Sequence, residues 1–135
     1  MRSALCLLFA IIACGRVGNG PVPIAYDKEA CAHCHMLIGD PRYAAQLVDD
    51  GGDVLDFDDP GCLLRYLVTA HPRVRAIWFR DARADRWLSA EDARFVADPA
   101  TPMGWGLAAV DPGTAGAQTL EQATAKIARA DRSSR

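Results

Sequence analysis

The chain has 135 residues, a formal net charge of −2 and 50 % hydrophobic residues, which is the balance of one globular domain. No basic stripe with interleaved aromatics is present, so no nucleic-acid partner is expected. No Ser/His/Asp arrangement or phosphate loop is evident either, so the chain is read as a non-enzyme.

At the N-terminus, Arg2 precedes an apolar run over residues 4–13. The run is too short to span a bilayer and suits the h-region of a signal peptide. It ends in Ile11-Ile12-Ala13-Cys14-Gly15, which resembles a bacterial lipobox. The resemblance implies a lipoprotein signal peptide over 1–13, cleavage before Cys14 and lipid attachment to the Cys14 thiol. Each buried CH₂ of such a lipid contributes roughly 0.8 kcal/mol, so a multiply acylated cysteine holds a protein on a membrane. Gly15 after the cysteine resembles outer-membrane sorting. The expected location is therefore the cell envelope, lipid-anchored and facing the periplasm. Residues 14–23 carry glycine and proline with little periodicity and read as a flexible tether. The folded domain is expected over 24–131, with a frayed tail at 132–135.

Cys6 would leave with the signal, so the mature chain keeps Cys31, Cys34 and Cys62 beside the lipidated Cys14. An odd number of thiols in an oxidising compartment favours a metal or redox role over a purely structural disulfide framework.

The next stretch, Cys31-Ala32-His33-Cys34-His35-Met36, concentrates metal-capable groups. Several chemistries fit it. Soft thiolate and thioether donors select Cu(I). Cys-x-x-Cys serves as a redox dithiol or half of a zinc site. Cys31, Cys34 and His35 also match the attachment pattern of c-type haem. In extended backbone, Cys34 and Met36 would leave on one face.

Beyond the cluster, Gly39-Asp40-Pro41 predicts a turn and residues 42–48 a strand, with Tyr43, Ala45 and Leu47 on one face. Asp49-Asp50-Gly51-Gly52-Asp53 supplies hairpin turn residues before a returning strand at 54–57. Asp58 and Asp59 before Pro60 predict an N-cap followed by proline at the first helical position. That helix runs to about Ala70 on a stripe of Leu63, Leu64, Leu67 and Val68, and His71-Pro72 ends it. Cys62 lies off the stripe and reads as a small buried residue rather than a ligand. Asp56, Asp58 and Asp59 read as strand-end and cap residues.

Residues 74–79 predict a central strand, and Trp87-Leu88 a short one. Ser89-Ala90-Glu91-Asp92 predicts a capping box opening one helical turn. A loop follows over 98–103, then a strand within 104–110. Thr119 to Gln122 form a second capping box, whose helix would bury Leu120, Ala123, Ile127 and Ala130 and fray from Asp131. Hairpins without long crossovers predict an α+β fold, read as two related ββα-type halves.

Met103 sits between proline and glycine, which suggests a fixed loop presenting its thioether. The candidate metal ligands are therefore Cys34, Met36 and Met103, with Cys31 and His35 as further donors and His33 as an additional imidazole. Rival readings are a c-type cytochrome, with His35 proximal and Met103 distal, and a thiol–disulfide oxidoreductase using Cys31 and Cys34. Small cytochromes c are helical, whereas strands are expected here. Redox dithiols usually open a helix after a buried strand, and Tyr26-Asp27-Lys28-Glu29-Ala30 is no such strand.

Most of the mature chain resembles the NosL family, the accessory proteins of nitrous oxide reductase. The resemblance is carried by Asp27-Lys28, Cys31-x-x-Cys34-x-Met36, Tyr43-Ala44-Ala45-Gln46 and Phe57-Asp58-Asp59-Pro60-Gly61-Cys62. Trp87-Leu88-Ser89-Ala90-Glu91-Asp92-Ala93 and Pro102-Met103-Gly104-Trp105-Gly106-Leu107-Ala108 extend it. It implies a lipid-anchored Cu(I) chaperone that hands copper on through a membrane transporter complex for assembly of the copper centres of nitrous oxide reductase, an enzyme of denitrification. It implies an α+β fold of two ββαβ-like halves (a MerB-like arrangement), with Cys34 and Met36 on the family's Cys-x-Met copper motif and Met103 on its later methionine. One departure stands out: the family usually has glycine where this chain has His35.

Overall fold

The computed structural model describes residues 20–133. The expected signal peptide, Cys14 and the first part of the expected tether lie outside the described residues.

The architecture is α+β, as the alternating hairpin and helix signals predict. After a short 3₁₀ turn at Pro41–Tyr43 come β1 (Ala45–Asp49), β2 (Val54–Phe57), α1 (Pro60–Ala70), β3 (Val74–Arg80) and β4 (Trp87–Ser89). Then follow β5 (Arg94–Ala97), β6 (Leu107–Val110) and α2 (Leu120–Ser133). β2, β1, β3 and β4 form one antiparallel sheet in that order, while β5 and β6 pair in a second. The run β1-β2-α1-β3 is one ββαβ unit, and β5-β6-α2 repeats its ββα portion.

β1 lies inside the larger sheet. Leu47 stands opposite Leu55 on β2 and Ile77 on β3, and residues 45–48 are buried on both faces. This explains why Gln46, the polar residue within the buried part of the strand, is fully buried and bonded at both ends of its amide. Its amide nitrogen donates to Asp56 Oδ1 (2.6 Å) and to the Val22 carbonyl (3.3 Å), and its oxygen accepts from the Val22 amide (2.8 Å). A buried amide left without partners would cost on the order of 1–3 kcal/mol.

α1 packs against α2, β1 and β6, and so touches both sheets. The sheets meet through Phe79 and Phe95, buried rings 5.0 Å apart in an edge-to-face arrangement. Such pairs add about 0.5–1.5 kcal/mol beyond their area burial. α1 starts as its sequence requires: Asp59 is the N-cap, its carboxylate accepts from the Gly61 amide (2.7 Å), and Pro60 occupies the first turn. It ends where His71 turns left-handed, with φ 47° ahead of Pro72.

Several expectations are corrected. The strand expected from residue 42 begins at Ala45, because Asp40 caps a 3₁₀ turn over Pro41–Tyr43. The Ser89 box closes a turn, with Asp92 donating to Ser89 Oγ (3.3 Å), but no helix follows because Arg94–Ala97 pair with β6. The Thr119 box does open a helix, through reciprocal bonds between Thr119 and Gln122. Ala130 is exposed, and Asp131, where fraying was expected, is buried in an ion pair with Arg65 of α1. Charge complementarity across the helix pair thus holds the last turn of α2. The fold also reaches back to Val22, two residues before the expected boundary, through Gln46. Among the described residues, no helix is long and apolar enough to cross a membrane.

Candidate metal centre

The cysteine stretch folds as an irregular hairpin. The Asp27 amide donates to the Ile38 carbonyl (2.9 Å), Ile38 to Glu29 (2.9 Å) and Cys31 to Met36 (2.8 Å). The tip closes when the His35 amide donates to the Cys31 carbonyl (3.0 Å), with His35 at φ 62° in the left-handed region. A bond from the Ala32 amide to the Asp56 carbonyl (2.8 Å) fastens the tip to β2, and the Gly39 amide donates to Asp58 Oδ1 (3.3 Å). These contacts bring Cys31 under α1.

Cys62 arrives from the other side. The Asp59 cap starts α1, and Cys62, in its first turn, is thereby directed inward with no exposed surface. Among the described residues, Cys31, Cys34 and Cys62 form a group whose sulfur atoms lie within 4.8 Å of one another. All three are free thiols; Cys31 and Cys62 are 0 % exposed and Cys34 is partly exposed.

A third segment walls the group. Asp59 Oδ2 accepts from the Met103 amide (3.0 Å), and the Thr101 hydroxyl also donates to Asp59. Thr101 Oγ1 in turn accepts from the Gly106 amide (3.0 Å). The loop so held seats Trp105 on Gly61, and the indole N–H donates to Cys62 Sγ.

The electrostatics follow from this packing. The Cys62 thiol donates to Cys31 Sγ, which lowers the Cys31 pKa and raises that of Cys62, where burial adds to the rise. Burial also pushes up Cys34. Burial raises Asp58 and Asp59, and the nearby Cys31 charge adds to the effect. His33 is pushed down by burial. A cation bound among the sulfurs would neutralise this concentration of thiols and carboxylates, so the group can hold a metal ion.

Of the residues singled out from sequence, Cys31 and Cys34 come together. Met36 and Met103 are 57 % and 38 % exposed, and His35 is also exposed. Neither His33 nor His35 joins the group of three sulfurs. The shared-face argument for Cys34 and Met36 assumed extended backbone, and the left-handed His35 between them removes that premise. Cys62 was set aside as a small core residue, yet it completes the group. Two signals pointed to it: an odd third thiol, and an Asp-Pro cap that fixes a cysteine in the first helical turn.

Comparison with family models, with curated proteins and with solved structures gives no match.

Proposed function

We propose that this protein is a Cu(I) metallochaperone of the cell envelope, tethered by lipid on Cys14, that delivers copper for nitrous oxide reductase or a related envelope cuproprotein. The observation that carries the reading is the three-sulfur group of Cys31, Cys34 and Cys62. Three soft donors with no imidazole or carboxylate among them suit Cu(I). Structural zinc sites usually take four ligands. The cargo is held by the three thiols, with Met36 and Met103 as exposed thioethers near the segments that carry them. A site with one partly exposed sulfur suits a protein that must also release its ion. The NosL resemblance supports the recipient, the membrane transporter complex as partner and the periplasmic setting.

In the haem reading Cys31 and Cys34 would both be bonded to a porphyrin, whereas in this fold Cys31 has no exposed surface and its sulfur is grouped with that of Cys62 from α1. That favours the copper reading over the cytochrome reading.

The test is anaerobic Cu(I) titration of reduced protein against a chromophoric chelator, with X-ray absorption at the copper edge. One Cu(I) per chain in an all-sulfur shell is expected. Protein matured in its own envelope that carries stoichiometric iron and a Soret band would defeat the proposal. An N-terminal peptide from native membranes without an acylated Cys14 would defeat the anchoring part.

A further inference from the structure

Cys31, Cys34 and Cys62 are free thiols whose sulfurs lie within 4.8 Å of one another. Three thiols can close one bond among themselves, and one sulfur is then left over. The surroundings of each sulfur decide which. Cys31 is the common neighbour: its sulfur accepts from the thiols of Cys62 and Cys34 and from the backbone amides of His33, Cys34 and Asp58. Donors arranged in this way favour a thiolate. Access is divided differently. Cys31 and Cys62 have no exposed surface, and Trp105, seated on Gly61, donates to the Cys62 sulfur. Cys34 alone of the three reaches solvent. The sulfur with the most donors is therefore not the one that a reagent from outside meets first.

We infer that the group is a thiol–disulfide exchange site, oxidised through Cys34 by a small-molecule disulfide and storing the bond between Cys31 and Cys62. It differs from a Cys31–Cys34 dithiol in needing a sulfur from α1. The Cys34 thiolate attacks one sulfur of the disulfide RSSR, a Cys34–SR bond forms and RS⁻ leaves. The Cys31 thiolate attacks the Cys34 sulfur, and the second RS⁻ leaves. Cys62 gives up its proton and attacks the Cys31 sulfur, and Cys34 departs as a thiolate and regains its proton. Two protein thiols are thus oxidised to one disulfide, and RSSR is reduced to two RSH, which take up the two protons released. The sequence stops there because Cys31 and Cys62 offer no surface to a thiol from outside, whereas any bond to Cys34 stays open to attack. Reduction returns by the same route, through Cys34. The stored bond ties the cysteine hairpin to the first turn of α1 and closes residues 31–62 into a loop. A loop of that length restrains the unfolded chain more than the small Cys31–Cys34 ring would. The exchange stands apart from the copper reading. One consequence rests on that reading: oxidation leaves a single thiol for the ion, so the disulfide and the cargo exclude one another.

The test treats the reduced, metal-free full chain with glutathione disulfide, quenches it with acid, alkylates the remaining thiols and locates the bond by tandem mass spectrometry. The stable product should carry Cys31–Cys62, with Cys34 alkylated. Cys34→Ser, a change at the partly exposed sulfur, should keep the parent circular dichroism and slow the oxidation by about tenfold or more. The oxidised parent should bind Cu(I) at least about tenfold more weakly than the reduced parent. A stable product bonded at Cys34, whether to Cys31, to Cys62 or to glutathione, overturns the inference. Oxidation of folded Cys34→Ser at the parent rate overturns it as well. Equal Cu(I) affinity in the two redox forms overturns the mutual exclusion of disulfide and cargo. A chain that stores Cys31–Cys62 through Cys34 yet takes up no Cu(I) when reduced upholds the exchange site and overturns the copper reading alone.

Discussion

Gly61 and Trp105 occupy one another's space: a β-carbon on Gly61 would lie 2.2 Å from both Cβ and Cγ of Trp105. The contact is with the root of the indole side chain, which cannot swing aside as a flexible tip would. Gly61→Ala should therefore destabilise the fold by about 1–3 kcal/mol, the usual cost of overpacking. Urea unfolding measures it. In a Trp105→Ala background the added methyl should cost little, so the two changes should be strongly non-additive. Additive costs would mean that the loop shifts without strain.

Cys62 and Cys31 should be equally necessary to metal retention. Serine offers a hard oxygen in place of a soft sulfur. Cys62→Ser should weaken Cu(I) binding by at least about tenfold, a loss of roughly 1.4 kcal/mol or more. Chelator competition reads it directly, and parent affinity in Cys62→Ser would remove Cys62 from the site.

Metal uptake should release protons. Burial raises the Cys34 pKa; the bond donated to Cys31, together with burial, raises that of Cys62. Both thiols must ionise to bind, so apparent affinity should rise with pH across the neutral range. Each proton released contributes roughly a tenfold change per pH unit. Titrations at a series of pH values check the slope, and a flat profile would mean that neither thiol loses a proton on binding.

His35 should be a site of relievable strain. Its φ of 62° is a left-handed conformation that a side chain disfavours by about 1–2 kcal/mol. Glycine adopts it freely but loses more entropy on folding. His35→Gly should therefore raise stability by a net ~0.5–1 kcal/mol in thermal or urea unfolding. A destabilised glycine variant would show that the imidazole makes a compensating contact.

The last turn of α2 should contribute to global stability. Arg65 and Asp131 pair across the two helices, with side chains 22 % and 8 % exposed. Asp131→Ala should cost about 2–3 kcal/mol, somewhat below the range for breaking a fully buried pair. An unchanged unfolding midpoint would restore the view of this end as frayed.

Much of the fold was legible because local chemistry agreed with global packing. The Asp59-Pro60 start and His71-Pro72 stop bracket α1 as expected, and the acidic, glycine-bearing turn separates β1 from β2. Ser89 misled because its capping pattern is local, whereas the pairing of Arg94–Ala97 with Leu107–Val110 is not. Asp131 misled because its partner, Arg65, belongs to another helix. The site was half legible for the same reason. Cys31 and Cys34 are neighbours in sequence, but Cys62 joins them only after α1 docks on the hairpin and the loop around Trp105 closes on Gly61.

The doubled grip of Gln46 on Val22 has a mechanical consequence. Both backbone groups of Val22 are bound to a side chain of β1, an interior strand, and Ile24 is buried just beyond. A pull on the residues before Val22 is received by the middle of the four-stranded sheet before it can reach the cysteine hairpin. Tension arriving along the chain would thus load β1 first and reach the thiols only through the sheet and its Asp56 link to the hairpin tip.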